Sequence, residues 1–382
     1  MRRYPALAGS AMLWGLQFAF LAPALALLLV NLYGASMRDV GWVISAYQGA
    51  AFIAQLVVPG WADRRRDYLL PMVGAGVSTI ALTIALWFAT SLPLALVALL
   101  ILGAPAGVGG AMLFAELKHC GAQVHEVTSI RAVFSFAWMI GPPVATLVIG
   151  TFGSRALLVA IALVALVNLG MTGFLIRARK HRDPAREGVL QPDAVTPAKL
   201  PVGLALGAFV LTGATNAVAV SVLTLYVTQD LAAAPIWAGI SLGLCATLEI
   251  PAMIYSGRLA LRHSKFSMVV LGGALALVYY VGLILTGSPM VLLLLQIPNA
   301  VFIALTEGIG LAWVQEIIAA PGMASGMFMN TRRIGSVLSG VVISLGATGT
   351  AGVAGVFTIC AVLAAFALAL LLAAGRLLPA AR

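Results

Sequence analysis

The chain alternates long apolar runs with short polar interruptions, and the runs have the length of a bilayer crossing, which takes about 20 mostly apolar residues. Such runs cover residues 7–31, 40–60, 69–90, 92–115, 128–150 and 155–177, then 200–227, 235–257, 266–286, 289–314, 324–346 and 350–374. One long polar stretch, Arg177 to Lys199, separates the sixth run from the seventh; it is rich in charge and proline and has no apolar period. The pattern predicts an all-α polytopic membrane protein with 12 transmembrane helices. They fall into an N-terminal six-helix half (1–176), a linker (177–199) and a C-terminal six-helix half (200–382). The first run, from about Leu7 to Val30, has no small-residue cleavage site after it and is expected to stay as a helix.

Composition narrows the class further. Of the 382 residues 62% are hydrophobic and 9% are charged, against about 45–50% and about 25% in soluble domains. Too few charges are present to cover a water-exposed surface, so the surroundings must be lipid. The net charge of +10 is explained by topology and not by nucleic acid, because positively charged loops stay cytoplasmic. Cytoplasmic termini place Arg2, Arg3, Arg64, Arg65, Arg66, Lys118, the linker cluster, Arg258, Arg262 and Lys265 inside, with only Arg38 and Arg155 outside. Cys120, Cys245 and Cys360 are far apart and form no CxxC pair, so neither a disulfide nor a metal site is expected. No HExxH, Ser/His/Asp arrangement or P-loop occurs, which argues against an enzyme or an ATP-driven pump, and no cofactor is expected.

The two halves echo each other. The loop GWADRRRD (Gly60–Asp67) after the second run matches GRLALRHSK (Gly257–Lys265) after the eighth. FAELK closes the fourth run and VQEII the tenth, and Glu116 precedes Arg131 at nearly the spacing by which Glu316 precedes Arg332. Ala62 to Asp67 resembles the signature loop of the major facilitator superfamily. Within that superfamily the chain resembles the bacterial sugar efflux transporters. The segments that carry the likeness are GLQFAFLAPALALLL (from Gly15), SIRAVFSFAWMIGPPVA (from Ser129), LEIPAMIYSGRLALR (from Leu248), LLQIPNAVFIALTEGIGLAWVQEI (from Leu294) and FMNTRRIGSVLSG (from Phe328). Arg66 stands where the signature loop has glycine, Tyr68 and Leu69 where it has basic residues, and Thr306-Glu307 where small apolar residues are expected.

The resemblance implies a major facilitator fold with parallel pseudo-symmetric halves. It also implies a monomer in the bacterial inner membrane that exchanges a small-molecule substrate, a sugar or glycoside, for protons by alternating access. A multidrug or metabolite exporter is the alternative. Helices 1, 4, 7 and 10 would line the cavity. On a regular helix Gln296, Asn299 and Glu307 fall within about 80° of one another; Thr212, Asn216 and Tyr226 share a face of helix 7, and helix 1 offers Trp14, Gln17 and Phe18. Amides and aromatic rings suit a neutral polyol, although buried amides also serve as glue between helices.

Glu249 and Glu307 are the acids deepest in the apolar runs, where a carboxylate must be neutralised or paired. Each is a candidate proton carrier; the other reading joins Glu249 to Arg131 in a structural ion pair. Arg131 and Trp138 share a face of helix 5, and Gly141-Pro142-Pro143 resembles the antiporter signature, with Ala145 and Thr146 near the place of its further glycines. Asp63, Arg64, Glu116 and Arg332 or Arg333 resemble a cytoplasmic gate, in which Asp63 would sit at the N-terminus of helix 11. Arg65 reads more simply as a topology anchor.

Overall fold

Long apolar stretches have to satisfy their own backbone groups in lipid, and the helix does this within one segment. The computed structural model describes residues 3–180, 199–234, 236–347 and 352–377, and among them every regular element is helical. The helices are α1 (Arg3–Tyr33), α2 (Met37–Arg65), α3 (Leu69–Phe88) and α4 (Leu92–His119). They continue with α5 (Val124–Phe152), α6 (Ser154–Lys180), α7 (Lys199–Leu225) and α8 (Ile236–Leu259). The last are α9 (Lys265–Leu285), α10 (Pro289–Ile317), α11 (Pro321–Ala347) and α12 (Gly352–Leu377). Among the described residues ten helices are long and apolar enough to cross a membrane. The apolar run of α11 is interrupted in its middle by Asn330, Thr331, Arg332 and Arg333.

Local chemistry sets the ends. Ser36 and Asp39 form a capping box at the start of α2, satisfying donors that the first turn leaves free. The helix stops at Arg66, which adopts the left-handed conformation (φ 52°) and turns the chain. The Asp67 carboxylate then accepts from Leu69 N at 3.1 Å to start α3. Among the described residues the helical geometry widens at three places. Five-residue π-helical stretches occupy Leu99–Gly103 in α4 and Tyr226–Asp230 after α7, and a six-residue one occupies Ala304–Ile309 in α10.

The chain forms two compact units. The first comprises Met1–Ala122, Val133–Asp193 and Ala320–Gly326; the second comprises Gln123–Ala132, Ala194–Ala319 and Met327–Arg382. The first turns of α5 and of α11 each pack with the other set of helices. Most of the expected linker, 181–198, lies outside the described residues. In the first unit α6 packs on α1 and α3; in the second α12 packs on α7 and α9, the same pairing six helices later. Each unit has its own core: Leu28, Leu29, Leu82, Leu99 and Ile161 in the first, Tyr226, Tyr280, Leu283, Leu292 and Phe357 in the second. Large apolar side chains such as Leu163, Phe174, Val362 and Phe366 remain exposed, as lipid-facing residues do.

Close helix approach explains why α11 begins within the first unit. A Cβ at Gly326 would run into the Gln55 carbonyl oxygen and lie 2.9 Å from Pro59 Cγ, both on α2. Only glycine allows that contact. Gly326→Ala should therefore lower the thermal midpoint in detergent, since overpacking costs about 1–3 kcal/mol. Gly49→Ala, where a Cβ meets nothing within 4 Å, should leave it unchanged or raise it. Equal midpoints for the two variants would contradict the packing described.

Candidate functional site

Charge inside an apolar body demands a partner, and the second unit shows how one is supplied. Arg131 (α5), Glu307 (the π-helical stretch of α10) and Arg332 (α11) meet there. Both guanidinium groups reach the same carboxylate oxygen, Arg131 Nη2 at 2.5 Å and Arg332 Nη1 at 3.0 Å. Their surroundings differ: the Arg131 side chain is 1% exposed, Glu307 14% and Arg332 46%. Two glycines make the meeting possible. At Gly257 of α8 a Cβ would collide with the Thr128 side chain of α5, and at Gly308 one would lie 2.9 Å from Met253 Cγ. The bare backbone lets α5, α8 and α10 close around the ion cluster.

Glu307 is therefore not the lone acid that its own run suggests. Arg332 needs a correction too: it joins Glu307 and not the Asp63 gate, because it lies about three turns along α11 from the helix start. The regular-helix arithmetic that put Glu307 on the face of Gln296 and Asn299 also fails from Ala304 onward, where the helix widens into its π turn.

The first unit holds a second charged arrangement. Asp63, near the end of α2, accepts from Gly322 N at 2.8 Å and Met323 N at 2.7 Å, at the N-terminus of α11. Free N–H groups and the helix dipole make that end favourable for an anion. The Tyr68 hydroxyl donates to the same carboxylate at 2.7 Å. Burial, and then this bond, push the Tyr68 phenol well up from its ordinary value, so it stays a donor. Tyr68 read as a missing basic residue; the structure makes it the third partner of Asp63. Arg64 is exposed beside it, Glu116 is buried and accepts from Cys120 Sγ at 3.3 Å, and Arg333 is half-buried on α11.

Among the polar residues expected to bind substrate, Gln296 and Asn299 touch. Asn299 Nδ2 donates to Gln296 Oε1 at 3.0 Å and to Cys245 Sγ at 3.3 Å, while Asn299 Oδ1 is buried without a partner. In the first unit Trp14 Nε1 and both amide atoms of Gln17 are also buried without partners, as is Gln55 Oε1. Trp14 fills the space over Gly109, where a Cβ would collide with its ring, and stacks near Phe18 at 6.3 Å. Gln55, which the sequence did not single out, donates to Gly107 O at 2.8 Å where α4 is interrupted.

Tyr226 departs from expectation. Its hydroxyl donates to Leu283 O at 2.6 Å and its ring packs edge-on against Phe357, so it belongs to the core and not with half-buried Asn216. Thr212 donates to Phe209 O. Trp138 of α5 is exposed and falls in the first unit, whereas Arg131 falls in the second. The helix runs on without a break through Gly141, Pro142 and Pro143.

Apolar spanning helices around buried ion clusters and polar side chains make a multi-pass membrane transporter. The sequence model of the Major Facilitator Superfamily matches residues 7–340, and the chain belongs to that family. A Deinococcus radiodurans protein named for sugar efflux is 29% identical over 96% of both chains. Sugar efflux transporter A of Escherichia coli is 31% identical over 56% of this chain and 54% of its own length. Among solved structures, the fucose:proton symporter FucP of E. coli aligns with a TM-score of 0.75 at 12% identity over 98% of each chain. A bacterial homologue of the iron transporter ferroportin aligns at 0.78 and 13%, over 98% of this chain and all of its own. At such identities these two share the fold.

The geometry at Asp63 gives a direct test. Asp63→Asn keeps the shape but removes the charge from the α11 N-terminus, a term of about 0.3–2 kcal/mol. A cysteine introduced at buried Ala324, in a background without the native cysteines, should react faster with maleimide in that variant. Unchanged reactivity would show that the charge holds nothing.

Proposed function

We propose that the chain exports neutral sugars or glycosides across the bacterial inner membrane in exchange for protons. In this reading all twelve helices span, both termini are cytoplasmic, and one polypeptide works as a monomer by alternating access. The observation that carries the substrate class is a pair of buried side chains in the first unit whose polar atoms have no hydrogen-bond partner among the described residues, Trp14 at Nε1 and Gln17 at both amide atoms. They offer donors and acceptors together and no net charge, beside the rings of Trp14 and Phe18, which matches hydroxyls around an apolar sugar face. The names of the sugar efflux relatives point the same way. A cationic drug is less well served, because the Glu307 carboxylate already faces two guanidinium groups.

The ion cluster supplies the coupling. A proton on Glu307 would cancel the charge that holds both arginines. Arg131 is enclosed and stays; Arg332, nearly half exposed, can turn to water. Proton loading then separates α10 from α11 at this point, and proton release draws them together. Asp63 at the start of α11 would close the cytoplasmic side in the phase that holds the pair. Export follows if sugar binding and proton binding oppose each other.

Two variants separate these roles. Gln17→Leu removes an amide that makes no hydrogen bond, so the sugar-free protein should gain stability, since an unsatisfied buried group costs about 1–3 kcal/mol. Sugar affinity should fall several-fold in the same variant. A loss of stability together with unchanged affinity would make Gln17 helix glue. For coupling, Glu307→Gln in proteoliposomes should keep sugar exchange at equal pH yet lose its acceleration by an imposed pH gradient. Full pH-driven transport in that variant would remove Glu307 from the mechanism.

A further inference from the structure

The cytoplasmic end of α2 carries three consecutive arginines, of which only Arg64 was expected at the cytoplasmic gate and none takes part in the proposed coupling. Both neighbouring acids are engaged elsewhere: Asp63 by Gly322, Met323 and Tyr68, and Asp67 by Leu69 N and by Arg179 Nη1 at 3.1 Å. Among the described residues no carboxylate forms an ion pair with Arg64, Arg65 or Arg66, and all three are exposed. Arg65 instead lays its guanidinium over the Trp61 ring, 4.5 Å from the centroid. That contact holds the cation over an aromatic group of the kind that sits at headgroup depth.

The same helix face continues inward as an apolar strip. Ile53, Val57 and Trp61 follow one another at four-residue spacing and are 60%, 63% and 38% exposed. Arg64 falls within about 20° of both Ile53 and Val57 around the helix. Tail-facing carbon thus leads directly to unpaired positive charge and an interfacial ring.

We propose that this face binds an anionic phospholipid, with its phosphate on Arg64 and Arg65 and an acyl chain along Val57 and Ile53. The proposal rests on the cytoplasmic placing of the α2 end in the reading above. The apolar strip favours a lipid over a free phosphate, which would need only the arginines. A bound headgroup also fixes the helix end that presents Asp63 to α11, so lipid composition acts on the closed state.

Native mass spectrometry of the purified protein, titrated with phosphatidylglycerol and with phosphatidylcholine, tests this directly. The exposed arginines can be changed without disturbing the core, and the other basic loop provides a matched control. Wild type should retain phosphatidylglycerol preferentially. R64Q/R65Q should lose roughly tenfold or more in that preference, Trp61→Leu several-fold, and R258Q/R262Q little. An equal loss in R258Q/R262Q would reduce the site to general attraction between basic loops and anionic lipid and overturn the proposal. So would displacement of the lipid by inorganic phosphate at equal concentration, which would mark a free-anion site. Sugar exchange by R64Q/R65Q in phosphatidylcholine vesicles separates this from transport itself: normal exchange leaves the transport reading intact whatever the lipid result.

Discussion

A carboxylate held by two arginines inside an apolar body constrains everything around it. Ionised groups at such depth cost several kcal/mol unless paired, and removing one member of a buried pair leaves a charge that nothing else offsets. The Arg131–Glu307–Arg332 cluster draws on α5, α10 and α11, and α8 packs closely against two of them, against α5 at Gly257 and against α10 at Gly308. The glycines, the π-helical stretch that carries Glu307 and the capture of the first turns of α5 by the second unit all serve that pairing. The two arginines differ in exposure, Arg131 at 1% and Arg332 at 46%, and the proposed coupling rests on that difference.

The two units trade segments symmetrically but use them differently. The first turns of α5 deliver Arg131 to an ion cluster, whereas the first turn of α11 delivers backbone N–H groups to Asp63. The second unit has no counterpart of Asp63 at the repeat-related position, where GRLALRHSK places Ala260. Glu126 meets the corresponding need of α5 from within its own first turn, accepting from Gln123 N at 2.8 Å. Pseudo-symmetry in packing therefore coexists with asymmetry in charge. A transporter that moves a substrate one way has a use for such an imbalance.

Much of the fold was legible because lipid makes hydrophobic length a direct report of the helix. The runs 69–90 and 289–314 correspond to Leu69–Phe88 and Pro289–Ile317, with ends moved only where capping residues or an extra turn intervene. Asp63 could be placed at the α11 N-terminus because its loop resembles the family's signature loop and a helix N-terminus favours an anion. The π-helical stretches were not legible, since a local widening leaves no mark in apolar periodicity, and the error passed straight into the predicted face of α10. The partners of Glu307 were hidden for another reason: Arg131 lies 176 positions away and Arg332 lies 25 away. Tyr68 read as a defect because a phenol was weighed as a missing charge and not as a hydrogen-bond donor.

Glu307 is the point where sugar and proton are held to meet, and opposition between the two ligands can be measured without any membrane gradient. Purified protein in weakly buffered detergent solution, mixed with a transported sugar, reports proton release through an external pH dye. If sugar binding favours ionised Glu307 and its pairing with Arg332, binding should release up to about one proton per sugar where Glu307 is protonated before mixing. The release should be absent from Glu307→Gln that still binds sugar. Saturating sugar binding with no proton release at any pH from about 5 to 9 would contradict coupling through this carboxylate.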